Sequence, residues 1–244
     1  MGTLRPLVEQ YGDQVLAITL DVDEKAEVDA AVAETIARFG RIDVAVNNAG
    51  YGQFGTIEEV SEAEARAQME TNFFGALWVT QAVLPRMRAQ GSGHIIQVSS
   101  IGGVNAFPTI GLYHASKWAL EGFSQALAAE VAPFGIKVTI VEPAGYATDW
   151  SGPSAKQATP MAVYDEARAA RAAFRGAAIP SDPDASGPAI LKVVDAEVPP
   201  LRIFFGTVGL PMTRAEYARR IETWEKWNDV SVEAQGDWAA RQAR

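Results

Sequence analysis

An α/β fold built on a parallel sheet is what this sequence predicts, and three observations predict it. Short β-branched runs alternate with longer stretches whose apolar residues stand three and four apart. The short runs are almost continuously apolar, as strands covered on both faces must be. The 244 residues are 48% hydrophobic and 21% charged, enough for a sizeable core in one domain spanning 1–244.

Five runs read as strands: 15–20, 42–46, 94–98, 136–141 and 201–205. The first is followed by a helical stretch, 24–39, with Val28, Val32, Ile36 and Phe39 on one stripe. A second helix, 61–89, carries Met69, Phe73, Leu77 and Leu84, and a third, 111–133, carries Leu120, Phe123, Leu127 and Val131. A helix lying on a sheet must bury one face, so these stripes are core. From 144 to 184 the pattern loosens into Pro, Ser, Gly and Ala, with one helix near 161–174. A segment that long in a compact domain serves as a binding loop, which makes Trp150, Met161, Tyr164 and Phe174 candidate walls of a substrate pocket. A helix at 213–227 and a polar tail at 228–244, expected to be partly disordered, close the chain.

Composition excludes several functions. The formal net charge is −9 with no dense basic run, which argues against nucleic acid. No cysteine excludes a disulfide scaffold, a thiolate nucleophile and Cys-ligated zinc, and only two histidines, His94 and His114, argue against a histidine-rich metal site, so no metal is expected. No apolar run approaches the roughly 18 residues of a membrane span, so a cytoplasmic protein without membrane contact is expected.

Gly50, Gly52 and Gly55 spell G-x-G-x-x-G after the run 42–46. That pattern cradles a pyrophosphate only where a helix starts at once on its last glycine. Here the helix opens near Ser61, so the match is set aside. The chemistry lies elsewhere. Tyr113 and Lys117 stand four apart at the start of the third helix and share one face. A phenol of pKa about 10 is a poor base at neutral pH. A lysine cation about 5 Å away, at an effective dielectric of about 20, offers on the order of 3 kcal/mol, or about 2 pK units before burial opposes it. Ser100, at the end of the run 94–98, stands where parallel sheets hold ligands and could polarise an oxyanion. A serine hydrolase built on Ser100 lacks the G-x-S-x-G elbow. His94 and His114 neighbour these motifs without belonging to them and read as structural.

Further residues fall in step with the pair: Asn47-Asn48-Ala49-Gly50 after the second run, Asn72 in Thr-Asn-Phe-Phe-Gly, Ser99-Ser100, and Pro143 with Thr148 five later. With these the sequence resembles the short-chain dehydrogenase/reductase family over residues 4–210. The resemblance implies a Rossmann-like doubly wound parallel sheet and an NAD(P)-dependent oxidoreductase moving a hydride between a nicotinamide cofactor, NAD or NADP, and an alcohol or carbonyl. It implies Tyr113 as acid/base, Lys117 lowering its pKa and binding the ribose, Ser100 polarising the carbonyl and Asn72 holding a water. Asp21 and Val22 would meet the adenine; Asn47, Ala49 and Gly50 would line the cofactor groove; Pro143 and Thr148 would meet the nicotinamide. It also implies a small-molecule substrate, mostly apolar given Val104, Phe107 and the 150–174 segment, and a homodimer or homotetramer formed through helices 61–89 and 111–133. Ala144 departs from the family's usual glycine.

The family's opening strand, T-G-x-x-x-G-x-G turn, helix and second strand are not found before Gly2, so the expected fold is truncated at its N-terminus. Run 15–20 is then expected either to close directly onto 42–46 or to stay displaced beside an exposed edge. The alternative function is a cofactor-incompetent fragment or a non-catalytic interaction protein of the same fold.

Overall fold

A computed structural model describes residues 4–152, 155–176 and 179–238, and of residues 151 and 174–176 the backbone alone. The chain opens with a short helix α1 (Arg5–Tyr11) and continues into α2 (Lys25–Phe39), which Gly40 ends in the left-handed conformation at φ 78°. Strand β1 (Val44–Asn47) leads to a two-residue strand β2 (Gln53–Phe54) and then to α3 (Glu62–Met69). Ser61 and Glu64 form a reciprocal capping box at the start of α3. The 61–89 stretch is not one uniform helix: a π turn, Glu70–Gly75, separates α3 from α4 (Ala76–Gln90). Beyond it come β3 (Gly93–Val98), α5 (Gly111–Val131) and β4 (Ile136–Pro143).

Four parallel strands form the main sheet in the order β1-β3-β4, with β6 (Arg202–Phe205) on the far side of β4. In the loosened segment, β5 (Lys156–Gln157) pairs in parallel with β2, and α6 (Asp165–Gly176) supplies the helix expected near 161–174. Helix α7 (Ser186–Val194) is additional to the expected elements, and α8 (Gly209–Lys226) begins four residues before the expected 213. The stretch read as a partly disordered tail carries a helix, α9 (Asn228–Gln235), which runs until Gly236 turns the chain at φ 60°; residues 239–244 lie outside the described ones.

Successive residues of a strand face opposite sides, and both sides of this sheet are built as core. On one side Ala45, Ile95, Ile136 and Val138 pack with Val83 and Met87 of α4 and Leu127 and Val131 of α5. On the other, Ile96, Val141 and Phe205 take Ala189, Ile190 and Val194 of α7. Helices on both faces make the sheet doubly wound, as expected. The fifth strand is a correction. Residues 15–20 form no strand and have no ladder partner among the described residues, so they do not close onto β1, which lies at the edge of the sheet with Val46 49% exposed. No described helix is long and apolar enough to cross a membrane.

Candidate active site

Tyr113, Lys117 and Ser100 meet at the C-terminal ends of the strands, where β3 hands the chain to α5. Two backbone features fix the start of α5. Thr109 takes φ 65°, costly for a β-branched residue, and its carbonyl accepts the Gly55 N–H at 2.9 Å, tying the β2 loop to the helix start. Ser100 caps the short turn Ile101–Gly103, its Oγ accepting from Gly102 N at 3.0 Å.

The Tyr113 ring is 7% exposed and has Trp150 edge-on at 4.9 Å. Trp150 also packs on Phe54 at 5.5 Å, and Gly52 leaves it room, since a Cβ there would lie 2.8 Å from the indole. Trp150, expected from the sequence to wall a substrate pocket, packs between the Tyr113 and Phe54 rings. Lys117, 5% exposed, sits with Nζ 5.8 Å from the Tyr113 ring centre and donates to the Val98 carbonyl at 2.8 Å.

Burial sets the protonation of both groups. It pushes the Tyr113 phenol up to about 12, against the hydrogen bond with Ser100, which pulls it down. It pushes the Lys117 ammonium down to about 8, opposed by the nearby Glu121 carboxylate. Helix spacing predicts that Lys117 draws the phenol toward neutrality, and burial of the ring acts in the opposite direction.

Asn72 lies in the π turn and is 1% exposed. Its Oδ1 accepts from Tyr51 N, and its Nδ2 donates to Tyr51 O and to Ser116 Oγ, each at 3.0 Å. Gly50 completes the cluster: a Cβ there would lie 3.0 Å from Asn72 Oδ1 and 3.6 Å from Lys117 Nζ. A side chain at position 50 would press on the Asn72 amide, so glycine keeps the strip after β1 close to Asn72 and Lys117.

Other expected site residues spread around this centre. Asn48, Ala49 and Gly50 are exposed along the end of β1. The Asn47 side chain turns away from any groove and is spent on Gln97 Oε1 at 2.9 Å and Thr80 Oγ1 at 3.1 Å, leaving its backbone as the part that a ligand could meet. Asp21 is exposed; beside it Val22 packs on Gly75, where a Cβ would lie 2.7 Å from Val22 Cγ2, and Asp23 accepts from Thr71 at 3.0 Å. Pro143 ends β4, and the exposed Thr148 accepts from Trp150 N at 3.5 Å. Ala144 is accommodated by Gly206, whose Cβ position lies 3.2 Å from the Ala144 methyl.

Both histidines are buried and engaged in internal hydrogen bonds. His114 Nδ1 accepts from Phe107 N at 3.2 Å, and burial pushes the ring down to about 4. Thr139 gives its only hydroxyl proton to Pro200 O, so His94 Nε2, 2.9 Å from Thr139 Oγ1, must carry the proton between them.

Sequence reasoning missed the fastening of the loosened segment. Glu59, its side chain 1% exposed, accepts from Thr56 N and Met161 N, both at 2.7 Å, and pairs with Arg168. Those backbone donors hold its carboxyl down at about 2. A depressed acid stabilises above its unfolded value, and the contribution fades as pH falls toward about 2. Tyr164 bonds Glu58 on the same loop, while the Phe174 side chain lies outside the described ones. Glu59→Gln is expected to speed amide exchange at Met161 and tryptic cleavage at Arg168 at pH 7; unchanged rates would remove Glu59 from this role. Among the described residues no group of His, Asp or Glu is placed to hold a metal ion.

A family model described as short chain dehydrogenase matches residues 3–159. An oxidoreductase of Botryotinia fuckeliana is 38% identical over 233 residues, covering 94% of this chain and 85% of that protein. The crystal structure of a short-chain dehydrogenase from Streptomyces avermitilis aligns at a TM-score of 0.89 and 38% identity, over 96% of this chain and 86% of that one. A structure of ElxO with NADP bound aligns at a TM-score of 0.58 and 31% identity, over 61% of this chain and 60% of that one.

Proposed function

The chain belongs to the short-chain dehydrogenase family, and from that premise we propose that it moves a hydride between NAD or NADP and an alcohol or carbonyl, with Tyr113 as the acid/base group. The observation that carries this reading is the convergence of Tyr113, Ser100, Lys117, Asn72 and Gly50 at one end of the sheet. The enzyme is an NAD(P)-dependent oxidoreductase acting on a small molecule.

The residues present fit the nicotinamide end of the cofactor. Gly50 leaves a side-chain-free approach to Lys117 Nζ, and the exposed strip 48–50 lies where open α/β sheets take ligands. Lys117 would hold the ribose, Asp21 and Val22 the adenine, Ala49 and the Asn47 backbone the groove, and Pro143 and Thr148 the nicotinamide. When bound, the cofactor supplies or accepts the hydride.

The chain's own residues handle the proton. Ser100 orients the carbonyl oxygen by hydrogen bonding, and Tyr113 gives that oxygen its phenol proton as charge develops there. With the phenol at about 12, Tyr113 is protonated at neutral pH, which is the form that reduction requires. Oxidation requires the phenolate, which the Lys117 cation favours. Asn72 holds the Tyr51 backbone and Ser116 in place around Lys117, and a water on its remaining lone pair would pass protons to the lysine. Trp150 and Phe54 place an apolar surface beside the Tyr113 ring, which supports a mostly apolar ketone or alcohol as substrate. A homodimer or homotetramer through α3, α4 and α5, and a cytoplasmic location, belong to the same reading.

The test is a titration with NADH and NADPH, then a screen of apolar ketones read by loss of reduced nicotinamide. Micromolar binding of one cofactor and ketone-dependent turnover are expected. A folded sample that binds neither would overturn the reading in favour of a non-catalytic protein of this fold.

A further inference from the structure

One helical turn beyond Lys117, on the same face of α5, stands Glu121, 4% exposed; across from it on β4 stands Glu142, 1% exposed. One guanidinium serves both acids: Arg202 Nε lies 2.9 Å from Glu121 Oε2 and 3.7 Å from Glu142 Oε1. The Oε1 atoms of both carboxyls are buried and have no hydrogen-bond partner among the described residues. Two ionised carboxylates within hydrogen-bonding reach of each other, each with a buried oxygen and sharing a single cation, repel and leave acceptors unsatisfied. One proton held between them removes both costs.

We propose that Glu121 and Glu142 share a proton and so act as positioning residues that set the proton affinity of Lys117. This rests on the role given to Lys117 under the proposed function. The surroundings fit a titrating pair. A cavity of about 500 Å³ borders both acids, with Trp118 of α5 and Tyr217 of α8 in its wall, and gives protons a way in. The charged and titratable groups facing the pair are Lys117 from its own helix, Arg202 from β6, and Tyr217 from α8 with Arg220 stacked beyond it at 5.1 Å. Burial and the Glu121 charge push Glu142 up to about 7, against the pull of Arg202.

Below that value the pair carries one negative charge, matched by Arg202; above it the pair carries two. The second charge stabilises the Lys117 ammonium, so the native enzyme keeps its lysine protonated to higher pH. Glu142→Gln is neutral at every pH, and the alkaline limb of kcat for carbonyl reduction is expected to move to lower pH, by on the order of one unit for the loss of one nearby negative charge.

Two further measurements need no turnover. Infrared spectra should show a protonated carboxylic acid at pH 6 that disappears by pH 9 and is absent from Glu142→Gln. Because the folded-state value is raised above the ordinary 4.5 to about 7, wild-type stability falls as pH rises through that window. The variant is spared this loss, so its Tm relative to wild type should be higher at pH 8 than at pH 5. Should Glu142→Gln fail to fold, Glu121→Gln removes the shared proton equally and shifts the alkaline limb the same way. An unmoved limb, no acid band and a pH-independent Tm difference would overturn the proposal. Turnover surviving in Tyr113→Phe would instead overturn the proposed function, while the infrared band would still report on the pair.

Discussion

Tyr113→Phe is expected to lower kcat by about 100- to 10,000-fold, the worth of a positioned general acid, while the fold stays intact. The substitution removes one oxygen and nothing of the ring that packs on Trp150 and His114. The lost hydrogen bond is the one to Ser100, whose Oγ keeps its contact with Gly102 N at 3.0 Å. Stability should therefore fall by no more than about 1.5 kcal/mol, or about 5 °C in Tm for a chain of this size. Cofactor affinity should persist, because Lys117 and Gly50 are untouched. A variant with wild-type kcat would show that the proton comes from elsewhere, and one that has lost both activity and folded structure would be answered by comparing its Tm with that of Ser100→Ala.

Parts of this site are legible in the sequence because they obey local rules. Tyr113 and Lys117 share a helix face by spacing alone, and helices α2, α5 and most of α3–α4 come from 3.6-residue stripes. The run 15–20 reads as a strand because it is β-branched and apolar, yet a strand exists only by pairing, and local composition does not report a pairing partner. The protonation of Tyr113 escapes sequence reasoning for a related cause: helix spacing gives the distance to Lys117 but not the burial by Trp150, which comes from a segment 37 positions away in sequence. Glu121 does carry a local signal, since it stands four residues after Lys117. So does Glu142, an acid that follows the apolar pair Ile140-Val141 inside a strand. The Glu59 fastening has no signal at all, as its partners Met161 and Arg168 lie about a hundred residues on.

Asn72→Ala is expected to cost about 2–4 kcal/mol of stability, from one buried N–H left unpaired and a small cavity. The π turn Glu70–Gly75 widens the helix by one residue and re-aims the side chains within it. In that turn Thr71 reaches Asp23, Gly75 receives Val22, and Asn72 faces inward to Tyr51 and Ser116. Of the groups that Asn72 serves, Tyr51 O keeps a bond from Gln68 Nε2 at 3.0 Å, and Ser116 Oγ still donates to Tyr113 O at 2.7 Å. The Tyr51 N–H has no such reserve, so the strip 48–51 should loosen just where Gly50 meets Lys117. The Tm is expected to fall by about 5–15 °C, with faster amide exchange at Tyr51 and weaker cofactor binding, while α8 and β6 keep their protection. A Tm within about 2 °C of wild type, with Tyr51 still protected, would mean that the π turn and not the Asn72 amide holds the strip, and that Lys117 is positioned from the Val98 side alone.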